Sequence, residues 1–257
     1  MQRAKQNAIN LYREGIERGR PREAIAAYTG DRYTQQSTGV ADGRAGFIAF
    51  FEPFLERNPV REFTVVRALQ DGRYVFLQVH QSLNGGEVEW LTTDFFDTDP
   101  AGKIVEHWDV IAPVKAVNAS GRTQIDGPAD ITDLDRTEEN RALVTAYIER
   151  CLVGRDLAAI PEFLSAENFH EHSADGTDGR DAFMAFFGAA DCPLRYQECF
   201  LAVAEGNFVA TLNRATWHGE DLCLVDLYRV EGGKIVEHWD NAEPVPPKAE
   251  WANSGKF

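Results

Sequence analysis

The sequence is poor in positive charge, in cysteine and in long apolar runs, and each shortage excludes a class of protein. Lys and Arg number 26 against 41 Asp and Glu, a net charge of −15. Because this sign repels phosphate backbones and anionic lipid, we expect neither nucleic acid nor a membrane surface as a partner. The four cysteines form no Cys-x-x-Cys pair, which favours buried thiols in a reducing compartment over a disulfide framework. No apolar run approaches the roughly 18 residues of a membrane span, so we expect no signal peptide or transmembrane segment and predict a cytoplasmic protein.

Several motifs of cofactor and nucleophile chemistry are also missing. There is no Gly-x-Gly-x-x-Gly, no Walker loop, no Gly-x-Ser-x-Gly elbow and no His-Glu-x-x-His. A single residue separates His170 from His172. Two histidines without a third ligand at a familiar spacing are a weak signal for a metal site. The sequence therefore predicts no metal site and no cofactor.

An internal repeat is the main positive feature of the chain. Residues 42–51 (DGRAGFIAFF) return as residues 178–187 (DGRDAFMAFF), and residues 103–109 (KIVEHWD) return unchanged as residues 234–240. The spacing between the copies shrinks in small steps, as shortened loops within one repeated fold would cause. A stretch rich in turn-forming residues separates the copies. We therefore predict a first domain at 1–120, a linker at 121–133 and a second domain at 134–257.

Each copy is predicted to be an α+β domain. About three helices with helical spacing of apolar residues come first, and a meander of antiparallel strands follows. The predicted strands are 63–69, 74–82, 88–97 and 103–110 in the first copy and 196–204, 207–217, 222–230 and 234–241 in the second.

Three segments of each copy resemble one known family. They are YTQQS at 33–37 or FHEHS at 169–173, the Asp-Gly-Arg before the aromatic helix, and the string that ends in GKIVEHWD. Together they resemble the SnoaL-like polyketide cyclase family of the nuclear transport factor 2-like superfamily, over nearly all of both halves. The resemblance implies two tandem cone-shaped domains, each a strongly bent antiparallel sheet wrapped around about three helices, with a pocket in the cone. The superfamily includes isomerases, cyclases, epoxide hydrolases and non-catalytic domains, so the fold alone does not decide the function.

Four aspartates are the candidate acid/base groups. Asp109 and Asp240 end the last strand of each copy, and by resemblance they match the acid/base aspartate of the cyclases. Asp94 and Asp226 lie in the middle of an apolar strand, where aspartate is disfavoured. If they face the same cone, two carboxyl groups share an apolar site and their pKa values separate. The alternative for each is a structural role, with hydrogen bonds to the backbone or to an Arg or Tyr.

Histidines and one glutamine complete the predicted sites. By resemblance His172 matches a family histidine, whereas the first copy has Gln36 there, so we expect the second copy to have the more polar, active-type pocket. His107 and His238 precede the aspartates by two residues and share their face of the strand if no bulge intervenes. Ordinary core packing is the alternative for each histidine.

The resemblance implies a small-molecule-binding protein. It is compatible with a cofactor-independent enzyme, an aldol-type cyclase or isomerase that acts on an apolar carbonyl compound. Asp240 would be the base, and Asp226 and His172 would orient the carbonyl group. One alternative is a non-enzymatic ligand-binding or scaffold domain. Another is epoxide hydrolysis, which would need an arginine between two carboxylates, with Arg214 as the candidate. We also expect the two copies to pair as an internal pseudo-dimer. The predicted ligand-binding residues are Asp109, Asp94, Gln36, His238, His107 and Arg214.

Overall fold

The computed structural model describes residues 2–257, which form two compact units. The first unit contains residues 2–113 together with 245–257, and the second contains 114–244. The division differs from the predicted domain limits. The predicted linker at 121–133 belongs to the second unit, and within it Gln124 Nε2 donates a hydrogen bond to the Asp240 carbonyl oxygen of that unit.

The first unit has three helices and a five-stranded sheet. Helix α1 (Arg3–Asn10) continues as π-helical turns over Leu11–Glu17, and α2 (Pro21–Tyr28), which has proline in its first turn, and α3 (Gly43–Arg57) follow. The strands are β1 (Thr29–Gln35), β2 (Arg61–Asp71), β3 (Tyr74–Leu83), β4 (Val88–Thr98) and β5 (Ile104–Pro113). Their order is β1-β5-β4-β3-β2, and only β1 runs parallel to its neighbour. A 3₁₀ turn at Lys248–Glu250 lies in the C-terminal segment of this unit.

The second unit repeats this arrangement. Helix α4 (Thr137–Tyr147) continues as π-helical turns over Ile148–Val153, and α5 (Ile160–Phe163) and α6 (Arg180–Gly188) follow, with 3₁₀ turns at Leu134–Arg136 and Leu157–Ala159. The strands are β6 (His170–Glu171), β7 (Leu194–Glu205), β8 (Phe208–Trp217), β9 (Glu220–Glu231) and β10 (Lys234–Pro244). Their order is β6-β10-β9-β8-β7, with β6 parallel to β10.

The predicted fold class is confirmed, with one strand added to each sheet. All eight predicted strands are present, and the structure adds β1 and β6 at one edge. The sequence pattern missed β6 because it is two residues long, and β1 because TGDRYTQ lacks a run of apolar residues. Register shifts interrupt β7 twice, and such bulges bend a sheet.

One apolar core lies between the helices and the sheet in each unit. In the second unit Val144, Tyr147 and Ile148 pack with Val209 and Tyr228 of the sheet, and all are buried. Within residues 2–257, no helix combines the length and apolar character needed to cross a membrane.

Candidate functional site

The second unit contains a cavity of about 360 Å³. Glu171, Asp226, His238 and Asp240, on three neighbouring strands, form its central polar group. The other polar residues that line it are Lys115, Ser173, Asp175, Thr177 and Tyr196. Its walls are otherwise largely apolar. The wall residues include Phe183, Phe186, Phe187, Leu194, Trp217, Leu222, Leu224 and Ala242.

Strand register brings the four central polar side chains together. Asp226 on β9 lies directly opposite Asp240 on β10, and the register is unbroken from Glu237 to Pro244. His238 therefore shares a face with Asp240, as expected from their two-residue spacing. Parallel pairing of β6 with β10 places Glu171 beside His238.

His238 lies between two carboxylates. Its Nε2 is 2.9 Å from Asp226 Oδ1, and its Nδ1 is 2.9 Å from both carboxylate oxygens of Glu171. Burial alone would lower the pKa of His238, but the charges of Glu171 and Asp226 outweigh it and raise the pKa well above its ordinary value. The two carboxylates therefore favour the protonated form of the imidazole. Asp226 Oδ2 also accepts hydrogen bonds from Tyr196 Oη (2.9 Å) and Asn213 Nδ2 (2.8 Å).

Asp240 is the least satisfied of these groups. It is partly exposed to the cavity, and its Oδ2 accepts a hydrogen bond from Ser173 Oγ at 3.0 Å. Its Oδ1 has no hydrogen-bond partner. Burial raises the pKa of Asp240 to about 6, and the Glu171 and Asp226 carboxylates act in the same direction against the opposing charge of His238. A carboxylate with a free oxygen and a pKa near 6 is suited to accept a proton near neutral pH.

The first unit has the same strand geometry around a much smaller cavity, about 70 Å³. Asp94 lies opposite Asp109, and His107 Nε2 is 2.9 Å from Asp94 Oδ1. The other ring nitrogen of His107 is 2.9 Å from the neutral Gln35 amide. Tyr12 Oη donates to Asp94 Oδ2 at 2.8 Å.

The C-terminal segment supplies a cation to the first cavity. Lys256 Nζ is 3.0 Å from Asp109 Oδ1, and the two residues are 1% and 5% exposed. Burial would raise the pKa of Asp109, but the Lys256 ammonium, with His107, outweighs it and holds the pKa below its ordinary value. Asn253 Nδ2 anchors the segment by donating to the carbonyl oxygens of Ser37 and Val40. Asp109 is thus an ion-paired carboxylate rather than a free base.

His172 and Gln36 do not line the cavities, contrary to expectation. His172 is fully buried, its Nε2 is 2.9 Å from Glu237 Oε1, and its ring stacks on Trp239 at a centroid distance of 4.5 Å. Gln36 Nε2 similarly donates to Glu106 Oε1 at 2.8 Å. Each residue follows the cavity-facing residue of an extended strand, so its side chain points to the opposite face.

Arg214 and His170 also lie away from the paired aspartates. Arg214 Nε is 3.5 Å from Glu198 Oε2 and its side chain is 44% exposed. The preceding residue, Asn213, contacts Asp226, so alternation turns Arg214 to the other face. The arginine required for the epoxide hydrolase alternative is not between the carboxylates. His170 Nδ1 is 3.2 Å from Asp178 Oδ2, and the described part of the chain has no group of three His, Cys, Asp or Glu side chains that could hold a metal ion.

Sequence reasoning missed Glu171 and its counterpart Gln35. Both stand beside the residues selected from the motif, His172 and Gln36. A signal was present, because reading FHEHS as a strand would have placed Glu171 and His172 on opposite faces. Glu171 against Gln35 is therefore one polar difference between the repeats at the cavity.

Two repeated α+β units, each with an Asp–His–Asp arrangement facing a cavity, make this a tandem-repeat protein. The chain belongs to the SnoaL-like domain family, whose model matches residues 9–107 and 144–238. The resemblance stated from the sequence is confirmed.

No curated protein matches the chain. Solved structures that match it include a candidate ketosteroid isomerase from Kribbella flavida, with 22% identity, 44% of this chain and 87% of that chain covered, and a TM-score of 0.38. A candidate polyketide cyclase from Bacillus cereus has 16% identity, coverage of 42% and 74%, and a TM-score of 0.38. A nuclear transport factor 2-like protein of unknown function from Cytophaga hutchinsonii has 21% identity, coverage of 46% and 95%, and a TM-score of 0.37.

Proposed function

We propose that the second unit is a cofactor-independent acid/base enzyme that moves a proton next to a carbonyl group of a small apolar compound, as in an isomerisation or an aldol-type cyclisation. The observation that carries this proposal is Asp240, whose Oδ1 is free and whose pKa is raised to about 6 in an otherwise apolar cavity. The cavity volume of about 360 Å³ is within the usual range for small-molecule sites.

The proposed reaction begins with ionised Asp240. Its carboxylate accepts a proton from a carbon next to the carbonyl group, and the electron pair of the C–H bond moves into an enolate. Return of the proton from Asp240 to a different carbon gives an isomer. In a cyclisation, the enolate carbon attacks a second carbonyl carbon of the same molecule, and the new alkoxide takes back the proton held by Asp240. Apolar walls limit the access of water to the enolate.

The remaining polar residues hold the base in place. Ser173 fixes one oxygen of Asp240, and the Glu171–His238–Asp226 chain of hydrogen bonds is satisfied within itself. Because both nitrogens of His238 already contact carboxylates, this histidine positions its neighbours rather than contacting the substrate. In this proposal His172 has a structural role, because it lies on the face of the sheet away from the cavity.

Asp240→Asn tests the proposal with a simple ketone as probe. Exchange of the carbon-bound protons of 2-tetralone into D₂O, followed by proton NMR, reports proton removal without knowledge of the natural substrate. We expect the variant to fold and its exchange rate to fall by roughly a hundredfold or more, since the amide cannot accept the proton. Asp109→Asn is the matched control, because the same change in the first unit should leave the rate unaltered. Full exchange activity in Asp240→Asn would contradict the proposal.

The pH dependence gives a second check of the same prediction. The wild-type exchange rate should rise with pH through about 6, because only the ionised carboxylate is a base. A raised pKa in the folded state also means that the bound proton stabilises the fold. This contribution is complete below the unfolded pKa of about 3.9 and is lost as the pH rises through the folded value. The wild type should therefore lose free energy of unfolding relative to Asp240→Asn over this interval.

A further inference from the structure

An enolate needs a partner for its oxygen, and most donors at the second cavity are already engaged. Negative charge moves onto the carbonyl oxygen as the proton leaves, and a fixed donor or cation at that point is usually a large part of catalysis. Tyr196 donates to Asp226, Ser173 donates to Asp240, and both nitrogens of His238 contact carboxylates. None of these groups is free to bind the substrate oxygen.

Lys115 carries the mobile cation of this cavity. Its side chain lines the cavity and is 47% exposed, and its Nζ is 3.9 Å from Oδ2 of Asp175, which is itself largely exposed. Exposed pairs at this separation contribute little free energy, so the ammonium can exchange Asp175 for another anion. Thr177 and Trp217 also line the cavity, but their side chains are neutral donors.

A buried glutamine ties Lys115 to the proposed base. Gln124 is 2% exposed, its Oε1 accepts from the Lys115 backbone N–H at 3.1 Å, and its Nε2 donates to the Asp240 carbonyl oxygen at 3.0 Å. The backbone of Lys115 is therefore held beside Asp240 on β10, and its flexible side chain lines the cavity. The charge of Lys115 also acts to lower the pKa of Asp240.

We infer that Lys115 is a catalytic residue of the second unit, whose ammonium binds the carbonyl oxygen of the substrate and stabilises the enolate. The inference rests on the proposed function and deepens it. Asp240 takes the proton, the C–H electron pair moves toward oxygen, and Lys115 balances the new negative charge while remaining protonated. The proton on Asp240 then goes to carbon, so no further reactant is required. Lys115 lies outside both segments that match the family model, in the segment that joins the repeats.

A stable phenolate tests the oxygen site separately from turnover. The probe is 4-nitrophenol, whose ionised form absorbs visible light, and the measurement uses the Asp240→Asn background because its neutral side chain mimics the base after it has taken the proton. Lys115→Met should weaken binding of the phenolate at least tenfold and leave binding of neutral nitrobenzene within twofold. Lys115→Arg should retain most of the phenolate affinity. Lys248→Met, which changes an exposed lysine of the first unit, is the control and should have no effect.

The outcomes separate this inference from the proposed function. Loss of 2-tetralone exchange in Asp240→Asn, with unchanged phenolate affinity in Lys115→Met, overturns the role of Lys115 alone. Unchanged exchange in Asp240→Asn overturns both, because Lys115 then has no enolate to stabilise. Absence of phenolate binding to the Asp240→Asn protein also overturns the inference. If Lys115→Met unfolds, Lys115→Gln serves in the same comparison, with thermal unfolding as the check.

Discussion

The two repeats share the string KIVEHWD and the Asp–His–Asp geometry, yet their catalytic-type carboxylates are in different states. Asp109 in the first repeat is held as an ion-paired carboxylate by Lys256. Asp240 in the second has a free oxygen and a pKa raised to about 6. An identical strand therefore does not specify the reactivity of its aspartate. The reactivity of the aspartate is set by the groups that approach it from other segments of the chain.

The histidines show the same dependence on neighbouring segments. His107 contacts one carboxylate and the neutral Gln35 amide, whereas His238 contacts two carboxylates. The cavities differ as well, at about 70 and 360 Å³. Together these differences support the proposal that the second repeat is the reactive one. The sequence prediction of an asymmetry pointed to His172, whereas a cavity residue that differs is Glu171.

Lys256→Met should give the largest change, because it breaks the buried ion pair of the first repeat. Loss of one partner leaves a buried charge uncompensated, at a cost of about 3–5 kcal/mol in the free energy of unfolding. The pKa of Asp109 should then rise, since burial is no longer opposed by the ammonium. Chemical denaturation of the first unit near neutral pH measures the loss.

The pH dependence of the free energy of unfolding shows whether the stability loss in Lys256→Met comes from the broken ion pair with Asp109. In the wild type the lowered pKa of Asp109 stabilises the fold above the unfolded pKa, and this contribution is lost as the pH falls through the folded value. The stability difference between wild type and Lys256→Met should therefore shrink in acid. Adding Asp109→Asn to Lys256→Met should recover most of the stability. Equal stability of wild type and Lys256→Met would show that the ion pair does not hold the segment.

Glu171→Gln should make the second repeat resemble the first and produce the next largest change. Removing this carboxylate takes away one of the two charges that raise the pKa of His238 and one that raises the pKa of Asp240. The pH profile of 2-tetralone exchange should move to lower pH. At pH values where Asp240 is fully ionised, the exchange rate should fall about 3- to 10-fold, because Asp240 becomes a weaker base. Gln35→Glu in the first repeat is the matched control and should not alter exchange. A profile that stays in place would rule out Glu171 as a tuning group.

Period-two alternation explains how far the sequence could predict this site. It placed His238 and Asp240 on one face, and the meander of β9 and β10 brought Asp226 opposite Asp240. The edge strand β6 is only two residues long, so the pattern did not identify it as a strand. Without that strand the alternation across FHEHS was not applied, and His172 was selected in place of Glu171.

Long-range ion pairs could not be predicted from the sequence for a different reason. Lys256 and Asp109 are separated by 147 residues, and no local pattern links an ammonium near the end of a chain to a strand of the first repeat. Lys115 lies within the predicted first domain at 1–120, just before the turn-rich stretch, where no sequence pattern links it to the second repeat. Its place at the second cavity depends on the hydrogen bonds of Gln124, which only the folded structure shows.

His172→Gln should give the smallest change and should affect stability without affecting chemistry. The variant copies Gln36 of the first repeat, which donates to Glu106, so the new amide can keep a hydrogen bond to Glu237. It loses the stacking on Trp239 and the contact of Nδ1 with the Thr123 carbonyl oxygen. We expect a loss of about 1–2 kcal/mol in the free energy of unfolding, with 2-tetralone exchange and nitrobenzene affinity unchanged. Thermal denaturation and the exchange rate are measured on the same samples, and Gln36→His in the first repeat is the reciprocal control. Because His172 lies on the far face of the sheet, it has no direct route to the substrate. A tenfold fall in exchange with intact stability would contradict this placement and return His172 to the candidate catalytic residues.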